Sequence, residues 1–188
     1  MTVRLRAARA EDADALAGML RSLSPAAAFH RFVAGLGEPK PGLLRALLAR
    51  GHDRGAWLAV DEDDVGEFVV GHACWRLAPT GVVDLGVVVA DPWQRRGLGR
   101  RLLVAAVLEA ATAGGTRLHL DVHPENRRVV RLLRDRLPGA VVTDADGFVQ
   151  FDGPLAGAMP SRAGQAVPSP GTMERSTSQV DSSSTVPV

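Results

Sequence analysis

The chain has 188 residues, enough for one ordinary domain with a hydrophobic core plus a remainder, and 46% of them are apolar. Lys and Arg total 22 against 21 Asp and Glu, a net charge of +1 that supplies no global field for nucleic acid or an anionic membrane. No stretch reaches the ~20 uninterrupted apolar residues of a membrane span, and the single cysteine, Cys74, excludes an intramolecular disulfide framework and a cysteine-based zinc cluster.

The opening MTVRLRAARAED lacks the apolar core of a secretory signal, so the expectation is a cytoplasmic protein with no membrane partner and no metal. Only Lys40 among the basic residues is lysine, and Ile and Tyr are absent, a bias best read as high-GC coding. Val3 to Ala7 reads as a first strand. Glu11 and Asp12 then favour a helix N-terminus ahead of the periodic Leu16, Met19, Leu20 and Leu23. Ser24-Pro25 is a cap followed by proline at the first helical position, predicting a second helix that carries Phe29, Phe32 and Val33 inward. A third, short helix is expected over Leu43 to Ala49, after Pro39 and Pro41.

Trp57 to Val60 and Glu67 to Leu77 read as an antiparallel hairpin joined through the acidic turn Asp61 to Gly66. Val82 to Ala90 follows, and its Val87-Val88-Val89 run is too apolar for a surface strand, which marks it as the centre of the sheet. Leu98 to Thr112 is a periodic helix closed by Gly114-Gly115, and Thr116 to Val122 alternates as a strand. Pro124 to Leu137 is read as the last helix, with Val129, Val130, Leu133 and Leu137 on one side and arginines elsewhere. Strands Ala140 to Thr143 and Phe148 to Phe151 flank the turn Asp144 to Gly147. One domain over 1–155 and a Ser/Pro/Thr-rich tail over 156–188, too poor in large apolar residues to order itself, complete the chain.

Between the apolar strand and the periodic helix lies Gln94-Arg95-Arg96-Gly97-Leu98-Gly99. A helix N-terminus presents unsatisfied N–H groups and a positive dipole end, and glycines let the backbone approach oxygen atoms closely. Arg95, Arg96, Arg100 and Arg101 crowd the same end, where cations are unfavourable unless an anion joins them; the loop is read as a cradle for a coenzyme A pyrophosphate. A dinucleotide fold would need a third glycine and an acidic residue roughly 20 positions on, in a different strand order.

The segment Asp91-Pro-Trp-Gln-Arg-Arg-Gly-Leu-Gly-Arg-Arg-Leu-Leu103, with its preceding strand, resembles the acetyl-CoA-binding motif of the GNAT family of N-acetyltransferases, whose signature Gln-x-x-Gly-x-Gly stands at Gln94 to Gly99. His123-Pro-Glu-Asn126 is similar to the family's strand-to-helix junction. The resemblance covers most of 1–155. It implies an α/β (α+β) fold with a mixed, mostly antiparallel sheet of six to seven strands flanked by four to five helices. It further implies that the backbone of Val87 and Val89 pairs with pantetheine, that Gln94, Arg95, Arg96, Gly97, Leu98, Gly99 and Arg100 hold the pyrophosphate, and that Asn126 contacts the cofactor. Residues 6–12 and 23–32 also resemble the subgroup that includes bacterial protein lysine acetyltransferases.

Acyl transfer from a thioester to an amine needs a base, because a lysine amine has a pKa near ~10.4. The subgroup's base is a glutamate in a segment like Ala-Glu-Phe-Ala-Val-Val-Val, and here Val83-Asp84-Leu85-Gly86-Val87-Val88-Val89 puts Asp84 at that position, one methylene shorter. The competing reading of Asp84 is a solvated or capping carboxylate. Glu67 is a second candidate, and His123 an accessory base on the strand face it shares with His119 and Asp121, which otherwise read as partly exposed polar residues. The family's acid, a tyrosine, has no counterpart in a chain without tyrosine, and a thiol leaves readily without one. Cys74 is read as a small hydrophobe. The expected activity is acetyl transfer to a protein lysine or small amine in a ternary complex, by a monomer or homodimer. The alternative is a non-catalytic acyl-CoA sensor. A nucleic-acid module would rest only on Arg127, Arg128, Arg131 and Arg134, read as solvated helix surface with Arg128 or Arg131 near the cofactor's 3′-phosphate.

Overall fold

A computed structural model describes residues 3–32, 36–63 and 66–158. Seven strands form one sheet: β1 (Arg4–Ala7), β2 (Arg54–Asp63), β3 (Gly66–Leu77), β4 (Val82–Val89), β5 (Arg117–Val122), β6 (Val141–Ala145) and β7 (Phe148–Pro154), in the spatial order β1-β2-β3-β4-β5-β7-β6. Every pairing is antiparallel except β4 with β5, and β4 holds the centre, as its valine run predicts. Among the described residues five helices cover the sheet: α1 (Ala13–Arg21), α2 (Pro25–Phe32), α3 (Pro41–Leu48), α4 (Leu98–Thr112) and α5 (Arg127–Arg136). No helix among the described residues is long and apolar enough to cross a membrane.

Two cores divide the helices between the faces. Leu98, Leu102, Ala106, Val107 and Ala110 of α4, spaced by roughly one turn, pack with Val130 and Leu133 of α5, with Val83 of β4 and with Phe151 of β7. Leu16, Leu20, Leu44, Leu47 and Leu48 of α1 and α3 pack on Leu58, Val69 and Val88 of the opposite face. Because side chains alternate along a strand, Val83, Leu85, Val87 and Val89 belong with α4, and Asp84, Gly86 and Val88 face the α1–α3 side.

Polar ties set the ends of these elements. Asp12 is buried beneath the first turn, where its carboxylate accepts from Arg6 at 2.6 and 2.8 Å and from the Arg9 amide at 2.7 Å. These bonds hold its pKa below the usual carboxylate value, the Arg6 contact chief among them. On the other face Glu109 of α4 gathers three donors: the indoles of Trp57 and Trp75 at 2.8 Å each and Arg50 at 2.6 Å. Gly55 lies against this cluster, and a Cβ there would collide with the Glu109 carboxylate and the Trp75 indole.

Local differences from the sequence expectation have physical causes. Helix α5 starts at Arg127 rather than Pro124, because the Asn126 amide closes a turn on the His123 carbonyl at 2.9 Å and Asn126 becomes the cap. In α2 the buried residue is Ala28, while Phe29 and Phe32 are half-buried; Val33 lies outside the described residues. Past β7, Leu155–Ala158 make a 3₁₀ turn anchored by the Leu155 amide on the Thr116 carbonyl at 2.9 Å, and the rest of the expected tail is outside the described residues.

Removing the Glu109 carboxylate strands two indole N–H groups and Arg50. Glu109→Ala is expected to lower the unfolding free energy by about 3 kcal/mol, and Glu109→Gln, which retains an acceptor, by about 1 kcal/mol, read from urea unfolding followed by tryptophan fluorescence.

Candidate active site

Strands β4 and β5 stay together for only three pairs, Val82↔Arg117, Val83↔Leu118 and Asp84↔His119. Beyond them β4 remains on β3 as far as Gly71↔Val89, and β5 remains on β7 as far as Val122↔Val149. Each strand keeps its outer neighbour while the two part from each other. The β5-facing edge of Leu85 to Val89, about 16 Å of strand, therefore has backbone hydrogen-bonding groups without a ladder partner. Asp84 and His119 mark the closed end of this cleft.

At its open end stands the glycine-containing loop. Gly97 caps α4 in the left-handed conformation (φ 78°), and Arg95 shares the positive φ at 63°. No side chain caps α4, whose first ladder bond is the Arg101 amide to the Gly97 carbonyl at 3.1 Å. The amides of Leu98, Gly99 and Arg100 thus remain as unpaired donors of a helix N-terminus. A Cβ on Gly99 would meet only Val89, at 3.8 Å, so nothing inside the protein requires glycine there.

Three of the sequence-predicted loop residues have internal tasks. Gln94 donates from its carboxamide to the Val89 carbonyl (3.1 Å) and from its amide to Asp91 (3.2 Å), bracing the loop on β4. The Arg96 guanidinium lies over the Trp93 ring at 4.8 Å, and Arg101 reaches the Val3 carbonyl at 3.1 Å. Arg95 and Arg100 are exposed.

On the face covered by α2, Asp84 is exposed and sits across from Arg76 on β3 and His119 on β5. The His119 ring is held by Asp152 at 2.9 Å and Asp121 at 3.3 Å. Partial burial alone would lower its pKa, but the Asp152 hydrogen bond and the charges of Asp121, Asp152 and Asp84 outweigh it, and the net shift is upward. Asp152, invisible as a functional residue in the sequence, arrives here only through the His119↔Asp152 register. Glu67, by contrast, is taken by Arg4 and Arg6 at the far end of β3.

His123 directly follows β5, four residues beyond His119 and about 13 Å along the chain, so the structure does not bring it together with Asp84. It packs edge-on against Phe29 of α2, with ring centroids 4.8 Å apart, and lies near Phe148. His30, His123 and Glu125 place one donor atom each within 4.8 Å of one another. Asn126 accepts from the Val129 amide at 3.4 Å through its carboxamide oxygen, which leaves the NH₂ group free to donate. Arg127, Arg128, Arg131 and Arg134 are exposed.

Two further residues enter from non-local packing. The Arg31 guanidinium of α2 lies on Gly86 and donates to the Cys74 sulfur at 3.3 Å, so Cys74 is a half-buried acceptor rather than a plain hydrophobe. His72, fully buried on the same face, bonds the Leu47 carbonyl at 2.9 Å through Nε2, while its Nδ1 has no partner among the described residues. Burial, with the nearby Arg31 charge, pushes its pKa down to about 4 despite the Leu47 bond.

Residues 15–137 match the model of the Acetyltransferase (GNAT) family. No curated protein sequence matches the chain. Among solved structures, the chain is similar to the GNAT domain of S. lividans PAT, with TM-score 0.71 and 20% identity over 82% of this chain and 91% of that one. It is also similar to a phosphinothricin acetyltransferase from Sinorhizobium meliloti in complex with AcCoA (TM-score 0.62, 18% identity, 90% of this chain and 95% of that one). A third is yncA from Salmonella typhimurium with its cofactor acetyl-CoA (TM-score 0.59, 19% identity, 89% of this chain and all of that one).

Two consequences are measurable without a ligand. Gly97→Ala forces an alanine into the left-handed region and is expected to cost about 1 kcal/mol in urea unfolding, whereas Gly99→Ala, inside the helix, is expected to be neutral or stabilising by a few tenths. His72 is neutral when folded and binds a proton near pH 6.5 when unfolded, so unfolding takes up a proton as pH falls from about 6.5 towards about 4. Across that window its contribution, about 3 kcal/mol, is progressively lost, and the fall in unfolding free energy between pH 7.5 and pH 4.5 should be correspondingly shallower in His72→Gln.

Proposed function

Since the chain belongs to the GNAT acetyltransferase family and has the acyltransferase fold of that family, we propose that it transfers an acetyl group from acetyl-CoA to a primary amine, of a protein lysine or a small molecule, by direct attack in a ternary complex. The observation that carries this reading is the edge of β4 over Leu85 to Val89 that has no ladder partner, which begins beside Asp84 and leads, through the loop braced on Val89, to the α4 N-terminus at Gly97. A cosubstrate with a pyrophosphate at one end and an amide-containing arm at the other needs that combination: N–H donors converging on an anion, then a strand edge to pair with.

In this reading the amides of Leu98, Gly99 and Arg100 hold the pyrophosphate, with Gly97 setting the turn and Arg95 and Arg96 adding charge. Gln94 serves by bracing the loop on Val89. Val87 and Val89 pair through their backbones with the pantetheine arm, which brings the thioester towards the closed end of the cleft. The free NH₂ group of Asn126 reaches the arm from the β5 side.

Asp84 takes the proton of the incoming ammonium, directly or through one water given its short side chain. The amine nitrogen then bonds to the acyl carbon and the carbon–sulfur bond breaks. The electron pair leaves on sulfur, the nitrogen gives up its second proton to solvent as the amide forms, and the thiolate takes up a proton from solvent or through Asp84. Backbone N–H groups of the open β4 edge are the donors available to the carbonyl oxygen as it gains charge. His119, cationic to higher pH than a free imidazole, stands beside Asp84. His123 lines the outer end of the cleft, where an acceptor enters. The Asp84 carboxylate and the family match favour this reading over a non-catalytic acyl-CoA sensor.

Thiol release from acetyl-CoA, measured against lysine-containing proteins, lysine peptides and small amines, tests it. The expected result is turnover with at least one class, a fall in kcat of about 10²-fold or more in Asp84→Asn, and an acetyl-CoA Kd within about threefold of wild type. Unchanged turnover in the variant would remove Asp84 as the base, and acetyl-CoA binding without turnover across the panel would favour the sensor.

A further inference from the structure

One cation on the α2 face has no counter-ion among the described residues. The Arg31 guanidinium lies flat on β4, and a Cβ on Gly86 would collide with its Nη2 and Cζ. Nη2 donates to the Cys74 sulfur at 3.3 Å, and the Phe32 ring lies 5.1 Å from Cζ. Nε is buried with no hydrogen-bond partner among the described residues, and Nη1, which is not buried, donates to none of them. Sulfur is a weak acceptor and a thiol brings no formal charge, so the contacts that fix the guanidinium leave its positive charge uncompensated. His72, buried nearby, is neutral and offers an Nδ1 with no partner among the described residues.

This cation stands where an acceptor must pass. Gly86 lies two residues from Asp84 on the same face of β4 and immediately before Val87, at the start of the unpaired edge. On the far wall Asp121 and Asp152 hold His119, and Arg76 stands across from Asp84 on β3, so Arg31 is the cation fixed against β4 at Gly86. A guanidinium fork with a free outer nitrogen selects a carboxylate by geometry as well as charge.

Building on the reading of the β4–β5 cleft as the transfer site, we infer that Arg31 anchors a carboxylate of the acceptor, so that the amine acetylated here belongs to a small molecule of the amino-acid class. Two strand residues separate Asp84 from Gly86 by about 7 Å. With a hydrogen bond at each end, to Arg31 and to Asp84, that span leaves only a few atoms between carboxylate and amine. An α- or β-amino acid satisfies it. The ε-amine of a lysine within a protein, with no carboxylate beside it, does not. Gly86 is part of the same device, because only a residue without a side chain lets the fork lie on the strand.

Calorimetric titration of the CoA complex with each of the twenty L-amino acids and the matching L-amino-acid amides tests the assignment. Wild type is expected to bind at least one free amino acid about tenfold or more tightly than its amide; Arg31→Met should reduce that ratio to about twofold, with Arg31→Lys in between. In turnover, KM for the amino acid should rise about tenfold or more in Arg31→Met while kcat falls less than about threefold. Equal affinity of acids and amides across the wild-type panel, which needs no variant, overturns the proposal. So does a fall in kcat on acids and amides alike. Because titration needs no chemistry, an acid-over-amide preference in a protein that releases no thiol would uphold the anchor and refute the transferase reading. Thiol release with lysine peptides and no such preference would do the reverse.

Discussion

The site depends on one failure of pairing. Three rungs join β4 to β5, after which each strand follows its outer partner and a polar backbone edge is left facing a gap. A strand edge of that kind inside a protein is costly unless something occupies it, and in an open sheet it is usually covered or blunted. Here it is left accessible, with a helix N-terminus at one end and a carboxylate beside an imidazole at the other. Both arms of the gap are rigid because they are central strands of their own half-sheets, so the separation of the groups along the cleft is set by strand rise rather than by loop conformation. The Glu109 clamp extends this rigidity to α4: three donors from β2, β3 and the segment before β2 fix the helix whose first turn forms the cradle.

Two histidines on the α2 face show how the same side chain is driven in opposite directions within one layer. His72 is enclosed by aliphatic residues and a neighbouring guanidinium, and the cost of burying charge keeps it neutral. His119 is also partly buried, yet two carboxylates in contact and a third across the strand overcome that cost. Positive charge on the face therefore surrounds Asp84, from Arg31 over Gly86, Arg76 across on β3 and His119 across on β5. Electrostatic asymmetry across a narrow cleft is a means of orienting a zwitterion, since the field acts on both its ends.

What the sequence made legible was local. Helix α4 has the limits its apolar spacing and flanking glycines predict, and β4 is central because a run of valines has no other stable place. The loop between them was readable because both its neighbours were. The residues that eluded reading were those whose partners are distant in the chain. Arg31 sits in an Ala- and Phe-rich helix, and nothing nearby in sequence announces that it crosses to Cys74 and Gly86. Asp152 reaches His119 only through an antiparallel register fixed 33 residues away. The motif marks Gln94 as part of the loop, and only the folded chain shows that its carboxamide bonds the preceding strand. Pro124 suggested a helix start that the Asn126 cap displaces by three residues, a contest between two turn-forming signals that periodicity cannot arbitrate.

The contact between Arg31 and Gly86 also constrains how this site can change over generations. A smaller residue at position 31 leaves Gly86 free to acquire a side chain later, but a side chain at Gly86 while Arg31 remains collides with the guanidinium. The guanidinium is the far end of a flexible side chain and can swing aside, so a change at either position alone lifts the cation off β4. A lineage that exchanges one acceptor for another through this wall of the cleft can begin at either residue, and the route back needs both the glycine and the arginine.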